Sequence, residues 1–133
     1  LLVLGVAMLF PLPVARENSP AGPPPLRFKA GVALPVFSYS LEESLATTNK
    51  IHWQLTGVPA IVTSLTSGVH RPDSLHYQWL AADFRTRHLE VGQGAQFAQL
   101  VQAALGQQFA VILEREPPHL HVSRRVALGD RGP

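Results

Sequence analysis

Apolar positions recur along the middle of the chain at two spacings, and these set out its elements. Leu41, Leu45, Thr48 and Ile51-His52 follow a helical period, and Ser40 with Glu43 three residues on forms a capping box in front of them. The pattern predicts a helix from about Leu41 to Gln54. Val58 to Leu65 is short, apolar and β-branched, lies between Gly57 and Gly68, and predicts a buried strand. Leu80 to Arg85 and Ala110 to Leu113 predict two more strands. Between them, Ala95 to Leu105 sets Phe97, Leu100, Val101, Ala104 and Leu105 on one face of a helix that Gly106 ends. His121-Val122-Ser123 predicts a last strand. The expected fold class is α+β, with helices on one side of a small sheet.

Outside this region the pattern changes. Leu1 to Phe10 is an almost unbroken apolar run followed by Pro11, Pro13 and small residues at Val14-Ala15. It resembles the core and cleavage region of a secretory signal peptide, with an upstream extension of no role as the alternative, and it is too short to span a bilayer comfortably. Pro20, Pro23, Pro24 and Pro25 keep the next stretch extended, as in a linker. The expected organisation is therefore 1–26 as signal-like segment and linker, 27–127 as one folded domain, and 128–133 as a tail.

Composition narrows the chemistry. Of 133 residues, 46% are hydrophobic and 15% charged, which supplies a core and argues against a disordered chain. The formal charge of +2 is scattered apart from Arg124-Arg125, so no stripe points to nucleic acid, while a mildly basic surface suits an anionic polymer. The chain has no cysteine and six histidines. Disulfides and thiolate zinc sites are thereby excluded, and any metal must be held by His, Asp or Glu.

A catalytic zinc site without thiolates takes imidazoles and a carboxylate as three ligands and keeps a fourth position open. His76 and Asp83 flank the segment Tyr77-Gln78-Trp79, so a loop running into a strand brings both to one point. His119 and His121 alternate by two and share a strand face, so one can bind a metal while the other faces substrate. Glu114 and Glu116 are carboxylates placed to act as general base, and spacing leaves open which does. The plainer readings are a turn histidine, a strand-end aspartate and two exposed edge-strand histidines. His52 and His88 fall outside these patterns and read as surface or helix-end residues.

Two stretches resemble a known family. Ser74-Leu75-His76-Tyr77-Gln78-Trp79-Leu80-Ala81-Ala82-Asp83 is similar to the Ser-x-His-x-x-Gly-x-Ala-x-Asp signature of zinc D-alanyl-D-alanine carboxypeptidases and peptidoglycan L-alanyl-D-glutamate endopeptidases. Glu114-Arg115-Glu116-Pro117-Pro118-His119-Leu120-His121-Val122 is similar to that family's closing Glu…His-x-His-Val motif, and the likeness spans roughly Arg27 to Val126. It implies a hedgehog/D-Ala-D-Ala-peptidase-like fold, with a small antiparallel sheet, and Zn2+ held by His76, Asp83 and His121. It further implies a catalytic base among Glu116, His119 and Glu114, and a substrate-binding loop with His70, Arg71 and Ser74.

The implied activity is hydrolysis of peptidoglycan stem peptides by a monomer, with no nucleic-acid partner and no stable membrane span. It would work in the periplasm or cell wall if the N-terminal segment is a signal, and otherwise in a phage particle or the cytoplasm. Two positions depart from the pattern: Ser123 stands where many members carry Glu, and Trp79 stands where the family has glycine, a residue that usually marks a special backbone conformation or close approach. The departure at Trp79 keeps a second reading open, a catalytically impaired module of the same fold that binds zinc or wall peptide.

Overall fold

Five strands and two helices make up the fold in the computed structural model, which describes residues 22–32, 39–66, 72–78 and 80–125. In chain order they are β1 (Arg27–Phe28), α1 (Tyr39–Thr56), β2 (Ile61–Ser64), a 3₁₀ turn (Leu75–Gln78), β3 (Ala81–Arg85), α2 (Gln93–Leu105), β4 (Phe109–Arg115) and β5 (Pro118–Arg124). The sheet order is β1-β2-β3-β5-β4. The α+β class is as expected, but the sheet is mixed rather than antiparallel. β1 and β2 run parallel, joined by the crossover through α1, while the remaining neighbours are antiparallel. β1 was not foreseen: Arg27 and Phe28 are both exposed, and the strand exists through its backbone bonds, Arg27 N–H to Ala60 C=O at 3.0 Å and Lys29 N–H to Val62 C=O at 2.8 Å.

Alternation along the strands separates two faces. Val62, Ala82, Phe84, Leu120 and Val122 are buried and form one core with Leu41, Leu45 and Ile51 of α1 and Phe97, Val101 and Leu105 of α2. Their strand neighbours Asp83, His119 and His121 therefore lie on the opposite face. In α2 the buried stripe is narrower than the sequence suggests, since Leu100 and Ala104 are exposed. α1 starts at Tyr39, so Ser40 lies in its first turn instead of capping it. Asn49 pins α1 at two places, donating to Pro24 C=O at 2.8 Å and accepting the Ala60 N–H at 2.9 Å. α2 ends at Gly106, whose φ of 77° suits glycine.

β4 runs on through Glu114 and Arg115, further than its apolar residues, because its length follows the pairing with β5. Its outer edge is partly covered: the Gln102 amide of α2 donates to Phe109 C=O at 2.9 Å and accepts the Val111 N–H at 3.1 Å. Among the described residues, no helix is long and apolar enough to cross a membrane.

Candidate metal centre

β3 and β5 are antiparallel neighbours in a register that sets Asp83 opposite His121 and Arg85 opposite His119. On the other side of β5, β4 sets Ile112 against His121 and Glu114 against His119. Two motifs nearly forty residues apart thus meet on one sheet face. His76 arrives from the 3₁₀ turn just before β3. That turn is closed by Leu80 N–H donating to Leu75 C=O at 3.0 Å, and the Ser74 hydroxyl accepts the His76 N–H at 3.2 Å.

His76 Nδ1–H donates to the Leu65 carbonyl, which fixes the ring and turns Nε2 toward Asp83. Nε2 is 3.3 Å from Asp83 Oδ1 and 3.3 Å from His121 Nδ1, and His121 Nδ1 is 2.8 Å from the same Asp83 oxygen. The three ligand atoms all lie within 4.8 Å of one another. His76 and Asp83 are buried and His121 is partly buried. Two imidazole nitrogens and a carboxylate oxygen are electron-pair donors, and packing them together out of water needs a proton or a cation between them. An imidazole whose other nitrogen donates to a backbone carbonyl is also the arrangement common in metal-bound histidine.

Charge follows from this packing. Burial by itself raises the Asp83 carboxyl, but the hydrogen bonds with His121 and His76, and the charges of His76 and His119, outweigh it and hold Asp83 well below the usual carboxylate range. The group keeps its negative charge although it is buried.

His119 stands beside this group. Its Nδ1–H donates to Pro117 C=O at 2.7 Å, and Nε2 is 3.6 Å from Asp83 Oδ1 and 3.9 Å from Glu114 Oε2. Glu114 and Glu116 are both exposed, but Glu114 reaches His119 from the rim, whereas Glu116 lies in the turn between β4 and β5 and no described contact joins it to the cluster. His70, Arg71 and Trp79 lie outside the described residues.

The structure therefore brings together His76, Asp83, His121, His119 and Glu114, with Ser74 holding the His76 backbone. Sequence patterns gave no sign of the Leu65 and Pro117 carbonyls, since a backbone group that orients a histidine carries no side-chain signature. No family model and no curated protein matches the chain; what the fold itself establishes is a His76–Asp83–His121 group able to hold a metal ion.

Proposed function

We propose that the chain is a zinc-dependent peptidase that hydrolyses peptidoglycan stem peptides, at a D-Ala-D-Ala end or at an L-Ala-D-Glu bond, on a fold of the hedgehog/D-Ala-D-Ala-peptidase type. The observation that carries this reading is the convergence of His76 Nε2, Asp83 Oδ1 and His121 Nδ1, at the positions where the resembling motifs have their ligands. Two imidazoles with one carboxylate suit zinc in a catalytic site with three protein ligands. Zinc held there would lower the pKa of a water and polarise a peptide carbonyl.

The remaining work belongs to the chain. Asp83 offsets the charge of the ion, and Leu65 C=O keeps His76 in the tautomer that presents Nε2. His119, with its proton on Nδ1, turns an Nε2 lone pair toward the site at 3.6 Å from Asp83 Oδ1. It is the base that takes a proton from the attacking water, and Glu114 at 3.9 Å steadies the imidazolium that results. Glu116, exposed in its turn, is the weakest of the three candidates.

Muropeptide digestion tests the reading: zinc-loaded protein should release shortened peptides while His76→Ala does not. Uncut muropeptides with both proteins, or equal cutting by both, would sink it. Trp79 in place of the glycine of the resembling motif favours the second reading, a catalytically impaired module of the same fold that binds zinc or wall peptide. Replacing Trp79 with Gly separates the two, because a gain of hydrolysis would make the parent an obstructed enzyme.

A further inference from the structure

A second histidine pair lies away from the metal centre. His52, near the C-terminal end of α1 and only 1% exposed, donates from Nδ1 to Val58 C=O at 2.9 Å, which leaves Nε2 as an acceptor. That nitrogen is 2.8 Å from Nε2 of His88 on the loop leaving β3, so His88 supplies the proton. The Thr56 hydroxyl, bonded to His52 C=O at 2.8 Å, and the Phe97 ring of α2, edge-on at 5.4 Å, enclose the His52 imidazole. The charged groups that act on the pair are Arg85 at the end of β3 and Arg87 on the loop, both cations. Among the described residues, no ion pair brings a carboxylate to either ring.

We infer that His52 and His88 form an acid-released latch that ties the end of α1 to the loop 86–92. A proton shared between the rings would place a cation between the buried His52 and the exposed His88, beside two arginines. A proton on each ring would leave two N–H donors face to face. Two donors cannot bond each other, so acid breaks the one side-chain bond described between these elements once His52 Nε2 itself takes a proton.

Burial pulls His52 below its ordinary 6.5, against the upward pull of the Val58 bond, and the charge of His88 adds to the lowering. Burial, Arg85 and Arg87 lower His88 in the same way. The folded state thus takes up protons on these rings less readily than the unfolded chain does. The stability from the latch is complete above about pH 6.5 and is lost as pH falls below it, by up to about tenfold in the folding constant per pH unit for the buried His52 and by less for the exposed His88. Thr86, Leu89, Glu90 and Gly92 of the latched loop line an open cavity of about 320 Å³, opposite Leu113, Glu114, Arg115 and Pro118. Release of the latch loosens that wall.

Denaturant unfolding of the full chain from pH 7.5 to pH 5, beside His88→Gln, tests this, since the amide keeps a donor and does not titrate. Titration elsewhere in the chain is common to both proteins. Between pH 6.5 and 5.5 the parent should lose up to about tenfold more of its folding constant than the variant; parallel curves would overturn the latch. Hydrogen exchange should accelerate across 86–92 in the parent at pH 5.5 and not in the variant, and unchanged protection in the parent would also overturn it. Should His88→Gln fail to fold, ring-nitrogen NMR of the parent at pH 6.5 decides. Neutral rings, Nδ1–H on His52 and Nε2–H on His88, are expected, and imidazolium signals from either would refute the inference.

Discussion

Asp83 stays ionised while buried because three histidines surround it, and its charge sets two measurable behaviours. Its carboxyl is held low in the folded protein, so it contributes stability above the ordinary carboxylate range that disappears as pH falls through that range and below. Asp83→Asn should flatten the acid limb of a stability-against-pH curve below about pH 4, and an unchanged limb would mean that Asp83 is not held by its neighbours. The same substitution removes one of the three proposed ligands, so on the proposed function zinc affinity should fall by more than the roughly hundredfold upper end seen for outer-shell partners. Thr48 is a separate case: it is fully buried, and its hydroxyl has no hydrogen-bond partner among the described residues. Thr48→Val should therefore stabilise the protein by about 1 kcal/mol, read as a higher denaturant midpoint, with a loss of similar size contradicting the assignment. At this scale the sequence was informative where chemistry clusters, at His76, Asp83 and the His119–His121 pair. It placed His52 near a helix end and His88 at the surface but gave no sign of the burial of His52 or of their pairing, since the two are 36 residues apart and leave no local pattern.

Among the elements, α1, α2 and the central strands were legible because burial imposes a period on side chains. Phe97, Val101 and Leu105 stand at helical spacing because one face of α2 meets the core. β1 and the last two residues of β4, Glu114 and Arg115, escape that reading, since backbone pairing shapes them and their side chains are exposed. The mixed sheet escaped with β1, because only a strand before α1 makes a parallel crossover. Gln102 shows how an element edge depends on one side chain. Its amide bonds Gly106 C=O at 3.0 Å, Phe109 C=O at 2.9 Å and Val111 N–H at 3.1 Å, joining α2 to the rim of β4. Gln102→Ala should cost about 2 kcal/mol of unfolding free energy, whereas Gln99→Ala, exposed on the same helix, should stay within about 0.5 kcal/mol. Equal effects in urea unfolding would show that α2 does not protect the edge.

In the molecule as a whole, the sheet divides the labour: one face carries the core under both helices, and the other carries the ligand group and its flanking histidine. This arrangement places two distant motifs on neighbouring strands, which is why the candidate site could be suspected from sequence although its geometry could not. Alternation puts His119 and His121 on the same face, but only the register of β5 on β3 decides that His121 meets Asp83 and His119 stands beside it. The resemblance implies a metal ligand at His121, and the register sets that residue in the group able to hold an ion. The most direct test of the central claim is the metal content of the purified protein after exposure to zinc, measured by elemental mass spectrometry beside His76→Ala. The account predicts about one zinc per chain, lost in the variant, as expected when a three-ligand site loses one imidazole. Zinc absent from the parent, or retained in full by His76→Ala, would contradict it.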